Sequence, residues 1–299
     1  MMQGIAYRSY LYTMYTYSAA FYRLKNLLQQ LYDDREASTL SHEVMEWITG
    51  LGRTDRLLQK EQVMNVAMTT MLEQAEEQLL RGVPLQYVTG YAWFMGLKFA
   101  VSKHVLIPRP ETEELVHWIV NDHLPQGLPI DILDVGTGSG CIPIMLKKLI
   151  PAAVISTCDI SPDAIAVAAA NATSLEQDIS FFQLDFLQPD QREQLSNFNI
   201  IVSNPPYIPI SEKEKLHINV RDNEPSLALF VQDNDALVFY KALAVFGKTH
   251  LRPGGTLYCE LDAGHALATA DLFSEMGYAD VTLKKDLNGH ERMLRATLP

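Results

Sequence analysis

The stretch Asp134-Val135-Gly136-Thr137-Gly138-Ser139-Gly140 lies between an apolar, strand-like run, Ile130 to Val135, and a helical one, Ile142 to Ile150. Glycine at such a turn permits sharp backbone geometry and lets a ligand approach the chain closely. The loop predicts a nucleotide-like cofactor, a ligand-free structural turn being the blander alternative. Beyond it, strand-like runs at Val154 to Asp159, Ile179 to Leu184, Ile200 to Val202, Thr256 to Leu261, Val281 to Lys285 and Arg292 to Thr297 alternate with helical ones such as Pro162 to Leu175. This alternation predicts an α/β domain with a mainly parallel sheet covered by helices on both faces.

Two details turn the loop from nicotinamide towards S-adenosylmethionine. Its spacing is Gly-x-Gly-x-Gly, not Gly-x-Gly-x-x-Gly, and Asp134 at the strand end can set a carboxylate against the cationic amino-acid part of that cofactor. Asp159 ends the next strand, 19 residues past Gly140, and is placed to accept from both ribose hydroxyls; capping the helix at Pro162 is its alternative role. Asp185-Phe186 follows the third strand, where a carboxylate can accept from an adenine amino group and an aromatic ring can cover the base. All three acids fall at carboxyl ends of strands, the edge where open α/β sheets bind ligands.

Asn204-Pro205-Pro206-Tyr207 follows another strand, at the same edge. A primary amide nitrogen is a poor nucleophile because its lone pair is delocalised into the carbonyl. Acceptors aimed at both amide hydrogens would hold it as the nitrogen becomes tetrahedral, and the Asn204 side-chain oxygen with the Pro205 carbonyl can supply them. The two prolines fix φ and keep those acceptors in place, while Tyr207 can lie over the flat amide near a sulfonium cation. Methyl transfer needs neither a metal nor a covalent nucleophile under this arrangement, and the product nitrogen loses its proton to water. A rigid post-strand turn is the alternative reading of this tetrapeptide.

Upstream, residues from about Ala6 to Arg81 show apolar spacings of three and four, as in Leu24, Leu27, Leu28 and Leu31, which predict a small helical bundle over 1–82. Asp33 and Asp34 are expected to cap the second helix, with Gly50 and Gly52 ending it in left-handed backbone. The stripe Tyr7, Tyr10, Tyr12, Tyr15 and Tyr17 reads as amphipathic core packing. Pro84, Gly90 and Gly96 punctuate the aromatic run Tyr87 to Phe99, predicting a β-hairpin linker over 83–108. The catalytic domain is then expected over 109–299, with a first helix from Glu111 to about His123.

The chain has 299 residues, 47% of them apolar, and 36 acidic against 24 basic side chains give a net charge of −12. Such a charge disfavours non-specific nucleic-acid binding. Cys141, Cys158 and Cys259 are odd in number, widely spaced and set in apolar runs, which suits buried thiols in the cytoplasm. No apolar stretch is long enough to span a membrane, and the tyrosine-rich start does not read as an export signal. The eight histidines are scattered and no metal is expected.

Together, Asp134 to Gly140, Asp159, Asp185-Phe186 and Asn204 to Tyr207 resemble the protein-(glutamine-N5) methyltransferases that modify the Gly-Gly-Gln glutamine of class-1 peptide chain release factors. Pro84-Leu85-Gln86-Tyr87, Ile107-Pro108-Arg109-Pro110-Glu111-Thr112-Glu113, Glu224-Pro225, and Asp286-Leu287-Asn288-Gly289 followed by Arg292 fit the same pattern. The chain departs from it at Asp235-Ala236-Leu237, where Asp-Gly-Leu is usual, and at Glu260-Leu261-Asp262, where Glu-Ile-Gly is usual. The resemblance implies a seven-stranded, Rossmann-like S-adenosylmethionine-dependent methyltransferase domain behind a helical domain that engages the release factor. It implies that Gly136, Thr137, Gly138, Ser139, Gly140, Asp159, Phe186 and Asn204 bind S-adenosyl-L-methionine, and that Asn204 to Tyr207 grip the glutamine. A monomer is expected.

Asn-Pro-Pro-Tyr is shared with N6-adenine methyltransferases, which leaves nucleic-acid methylation as a second enzymatic reading. Its usual electropositive arm is missing, since the first 82 residues hold 8 basic and 10 acidic side chains. A partner-binding module that keeps the fold without catalysis is a third reading, opposed by the intact Asn204 and loop glycines.

Overall fold

A computed structural model describes residues 14–123 and 130–299. The chain divides into two compact units, the break falling between Thr89 and Gly90. The first holds α1 (Tyr17–Leu28), α2 (Asp34–Thr49), α3 (Arg53–Leu58), α4 (Val66–Leu80) and α5 (Leu85–Thr89). Leu24, Leu28, Val44, Met45, Leu72 and Leu79 are sealed in its core, one apolar stripe from each of three helices. Asp33 caps α2 by accepting from the Glu36 amide, and Gly50 closes it in left-handed backbone at φ +68°. Gly52 behaves otherwise than expected: at φ −63° it is the extended residue that starts α3. Of the tyrosine stripe, Tyr17 is buried in this core and Tyr15 packs against it, while Tyr7, Tyr10 and Tyr12 lie outside the described residues.

The second unit opens with a hairpin, β1 (Tyr91–Phe94) and β2 (Leu97–Ala100), followed by α6 (Pro110–His123), β3 (Asp131–Val135), α7 (Cys141–Leu149), β4 (Val154–Asp159), α8 (Pro162–Ser174) and β5 (Ser180–Gln183). The short α9 (Pro189–Arg192) leads to β6 (Phe198–Ser203), then the small elements β7 (Ile208–Pro209), α10 (Ile218–Arg221), α11 (Ser226–Leu229) and β8 (Phe230–Val231). The chain ends with α12 (Val238–His250), β9 (Leu251–Glu260), α13 (Ala266–Glu275), β10 (Ala279–Lys285) and β11 (Glu291–Thr297).

The expected linker over 83–108 is thus divided. Residues 85–89 are helical, and the hairpin belongs to the second unit, where Phe94 and Phe99 meet edge to face and sit in the same core as α6 and α7. An isolated two-stranded hairpin is marginal in water; burying two phenylalanines is what holds this one.

Seven strands form one sheet in the order β10-β11-β9-β6-β3-β4-β5, with β11 antiparallel to both its neighbours and β3, β4, β5, β6 and β9 parallel. Successive side chains take opposite faces, so Ile132, Ile200 and Val202 pack under α6 and α7, while Leu133, Val135 and Ile201 pack under α12 and α13. Burial on both faces explains the unbroken apolar runs in the sequence. From β3 the chain winds outward through β4 and β5, then crosses back to β6 on the other side of β3. That reversal opens a crevice above the carboxyl ends of β3 and β6, and the Ser203 hydroxyl donating to the Val135 carbonyl at 2.7 Å ties the two strand ends together.

Candidate active site

The loop after β3 turns through positive φ at Gly136 (+83°), Gly138 (+52°) and Gly140 (+80°). Its amides are used within the protein: Gly136 and Thr137 donate to the Cys158 carbonyl, Gly138 to the Asp159 carboxylate at 3.0 Å, and Gly140 to the Thr137 carbonyl. Three side-chain oxygens, Asp134 Oδ1, Thr137 Oγ1 and Ser139 Oγ, are buried with no hydrogen-bond partner among the described residues. Native proteins rarely leave such groups unsatisfied, and Thr137 and Ser139 also line the cavity at this edge, where a polar ligand can meet them.

A cavity of about 340 Å³ opens at this edge, within the range of small-molecule sites. Gly136, Thr137, Gly138, Ser139, Asp159, Asp185, Phe186, Asn204, Pro205 and Pro206 all face it, joined by apolar side chains such as Ile160, Leu187 and Phe239 that no motif announced. Asp159 accepts from the Gly138 and Ser161 amides, and burial pushes its carboxyl above the usual range. Ser161 caps α8, so the capping alternative for Asp159 does not apply. Asp185 accepts from the Leu187 amide at 2.9 Å. Phe186 is buried, with the Arg192 guanidinium over its ring at 5.1 Å and Phe246 against it edge to face. One ring face is therefore already covered from within the core.

Three expected site residues lie off this cavity. Asp134 sits fully buried beneath the loop, accepting from the Thr157 hydroxyl at 2.6 Å, and burial pushes its carboxyl up to about 7. Gly140 faces α8, where an added Cβ would lie 3.0 Å from Ala168 Cβ, so its job is close helix packing. Tyr207 lines a smaller pocket of about 130 Å³, together with Arg109, Asn204, Pro205 and Glu260. The two cavities share Asn204 and Pro205.

Asn204 is held from below. Its Nδ2 donates to Thr112 Oγ1 at 3.1 Å, and the Thr112 hydroxyl donates to Glu260 Oε2 at 2.6 Å. One N–H of the carboxamide is thereby committed, which turns the NH2 end towards Thr112 and leaves Oδ1 as the acceptor end. Thr112 and Glu260 each lie in a stretch compared above with the family pattern, but 148 residues separate them and neither stretch announces their pairing. Two further supports also join residues far apart in the chain. The buried Glu224 pairs with Arg109 and fixes the segment before α6. The buried Asn171 joins the Ala100 amide, the Ala100 carbonyl and the Ser139 carbonyl, binding hairpin to glycine loop.

A family model described as the methyltransferase small domain matches residues 118–222, and one described as the PrmC N-terminal domain matches residues 20–90. The chain is 39% identical, over 90% of its own length and 94% of the relative's, to the release factor glutamine methyltransferase of Flavobacterium psychrophilum. The chain belongs to the release factor glutamine methyltransferase family. The Bacteroides thetaiotaomicron member of this family is again 39% identical, over 91% of this chain and 97% of that one. A methyltransferase from Pyrococcus furiosus shares the fold, with a TM-score of 0.51 at 15% identity, covering 68% of this chain and 90% of that chain. In this methyltransferase family member both loops at the sheet switch point lie within the stretch that matches the methyltransferase small domain, and residues 20–89 of the N-terminal match fall in the first unit.

Proposed function

We propose that this family member transfers a methyl group from S-adenosyl-L-methionine to the side-chain amide nitrogen of the glutamine in the Gly-Gly-Gln motif of a class-1 peptide chain release factor, so acting in translation termination. The observation that carries this reading is Asn204, its NH2 pinned by Thr112, standing where the larger cavity meets the smaller pocket.

The larger cavity suits the cofactor. A dinucleotide's pyrophosphate needs free amides, whereas four amides of this loop are already used and carboxyl groups surround them. A ligand without phosphate fits that surface. Gly136, Thr137, Gly138, Ser139, Asp159, Asp185 and Phe186 would hold it, with Asp134 acting from beneath the loop. When bound, S-adenosylmethionine supplies an electrophilic methyl on a good leaving group.

The smaller pocket suits a glutamine side chain. Asn204 Oδ1 and the Pro205 carbonyl accept from the substrate NH2, and the prolines keep those acceptors from moving as the nitrogen changes shape. Tyr207, held neutral because burial raises its hydroxyl far above the ordinary value, offers an aromatic wall. Cys141, Cys158 and Cys259 are all free and buried, which suits the cytoplasm. The test is mass spectrometry of a release factor before and after incubation with the protein and S-adenosylmethionine. One added methyl on the Gly-Gly-Gln glutamine is expected; methylation of adenine in nucleic acid instead would overturn the reading.

A further inference from the structure

We propose that Glu260 is a positioning residue that, through the Thr112 hydroxyl, dictates which end of the Asn204 carboxamide faces the substrate. The inference rests on the glutamine-methylating reading above. An Asn side chain is nearly symmetric in shape, and only hydrogen bonding decides whether it presents oxygen or NH2. Substrate recognition here requires oxygen. An ionised Glu260 can only accept, so Thr112 must donate to it and offer its own lone pair to Asn204 Nδ2, an arrangement in keeping with the 2.6 Å and 3.1 Å contacts. A protonated Glu260 can donate to Thr112 instead. The Thr112 hydroxyl is then free to donate to Asn204 Oδ1, turning the carboxamide so that its NH2 meets the substrate NH2, donor against donor.

Glu260 is well placed to change state. It is fully buried at the end of β9, and burial pushes its carboxyl up to about 7. The groups facing it come from several elements: Glu111 on α6, which raises the value further, Arg109 and Arg292, which lower it, and the neutral Tyr207 and Cys141. Tyr240 on α12 donates to its backbone carbonyl at 3.1 Å and does not compete for the carboxyl.

The experiment compares wild type, Thr112→Val, Thr112→Ser and Glu260→Gln for methylation of a release factor across pH 6 to 9, with cofactor affinity measured by calorimetry. Wild-type kcat should fall as the pH drops through about 7. Thr112→Val should lose about 100-fold in kcat with cofactor affinity and KM little changed, and Thr112→Ser should recover most of it. Glu260→Gln should lower kcat at high pH and abolish the fall through neutrality, because Gln does not titrate. The relay is overturned if Thr112→Val keeps wild-type kcat, if Thr112→Ser is as poor as the Val variant, or if Glu260→Gln keeps the wild-type profile. Should the Val variant not fold, the Ser and Gln variants decide. A wild type that transfers no methyl to glutamine removes the functional reading itself, whereas an active wild type beside an equally active Val variant removes only the relay.

Discussion

The loops after β3 and β6 lie at neighbouring strand ends but are made of opposite materials. The first uses three glycines in left-handed backbone, and three buried side-chain oxygens beneath or within it still lack a partner. The second uses two prolines, and its amide side chain, Asn204, is fixed from below. Each loop also stands over a buried carboxyl that accepts from a threonine at 2.6 Å, Asp134 from Thr157 and Glu260 from Thr112. Under the proposed function the difference teaches a division of labour. A ligand that must be admitted and released is met by a surface that is close and incompletely satisfied. A transition state that must be met without rearrangement is met by acceptors already locked.

The largest effect that can break this comparison is on the locked loop. On the proposed reading, Asn204→Ala removes an acceptor needed in the transition state and should cost about 10²–10³-fold in kcat, with the fold intact. A release-factor methylation assay beside a thermal melt checks both. Next comes the glycine loop, where the cost should appear in stability. Gly140→Ala would force a side chain into φ +80° and against Ala168 at 3.0 Å and Ile144 at 3.1 Å. Roughly 2–4 kcal/mol is expected from strain plus overpacking, read by urea denaturation. Gly138→Ala sharpens the contrast, because its Cβ meets nothing within 4 Å and only the φ of +52° opposes it. About 1–2 kcal/mol should be lost there. Equal losses at the two glycines would show that packing against α8 is not what Gly140 is for.

Much of this was legible from the chain because its signals are local. The runs ending at Val135, Asp159 and Ser203 are strands buried on both faces, and glycine or proline marks the turn that follows two of them. The glycine loop and the Asn-Pro-Pro-Tyr tetrapeptide could be placed at one edge from that pattern alone. What stayed hidden depends on tertiary register. Thr112 and Glu260 meet only because α6 lies across the end of β9, and Asn171 is a polar residue on the buried, otherwise alanine face of α8 until the hairpin and loop close on it. The hairpin read as a linker because the burial of Phe94 and Phe99 against α6 and α7 has no sequence period of its own. The depth of Asp134 was readable in principle. Strand alternation places it opposite Leu133 and Val135, on the face under α6 and α7 that Ile132 shares, and both faces of this strand are covered.

That depth supports the smallest prediction, on the pH dependence of stability. In the unfolded chain the Asp134 carboxyl titrates near its ordinary 3.8, whereas burial raises it to about 7 in the fold. Between those values the folded state holds a proton that the unfolded state has released, so this group's contribution to stability shrinks as pH rises from about 4 to about 7 and then levels off. Asn at the same position is nearly isosteric and cannot ionise. Denaturation of the ligand-free protein at pH 5, 6, 7 and 8 should therefore show wild type losing ground to Asp134→Asn as pH rises, with the gap constant once Asp134 is ionised in both states. Glu260 shifts in the same direction for the same reason, but it persists in both proteins and cancels from the difference. Parallel stability curves would mean that Asp134 ionises freely under its loop, and the likeness between the two buried carboxyls would then end at their threonines.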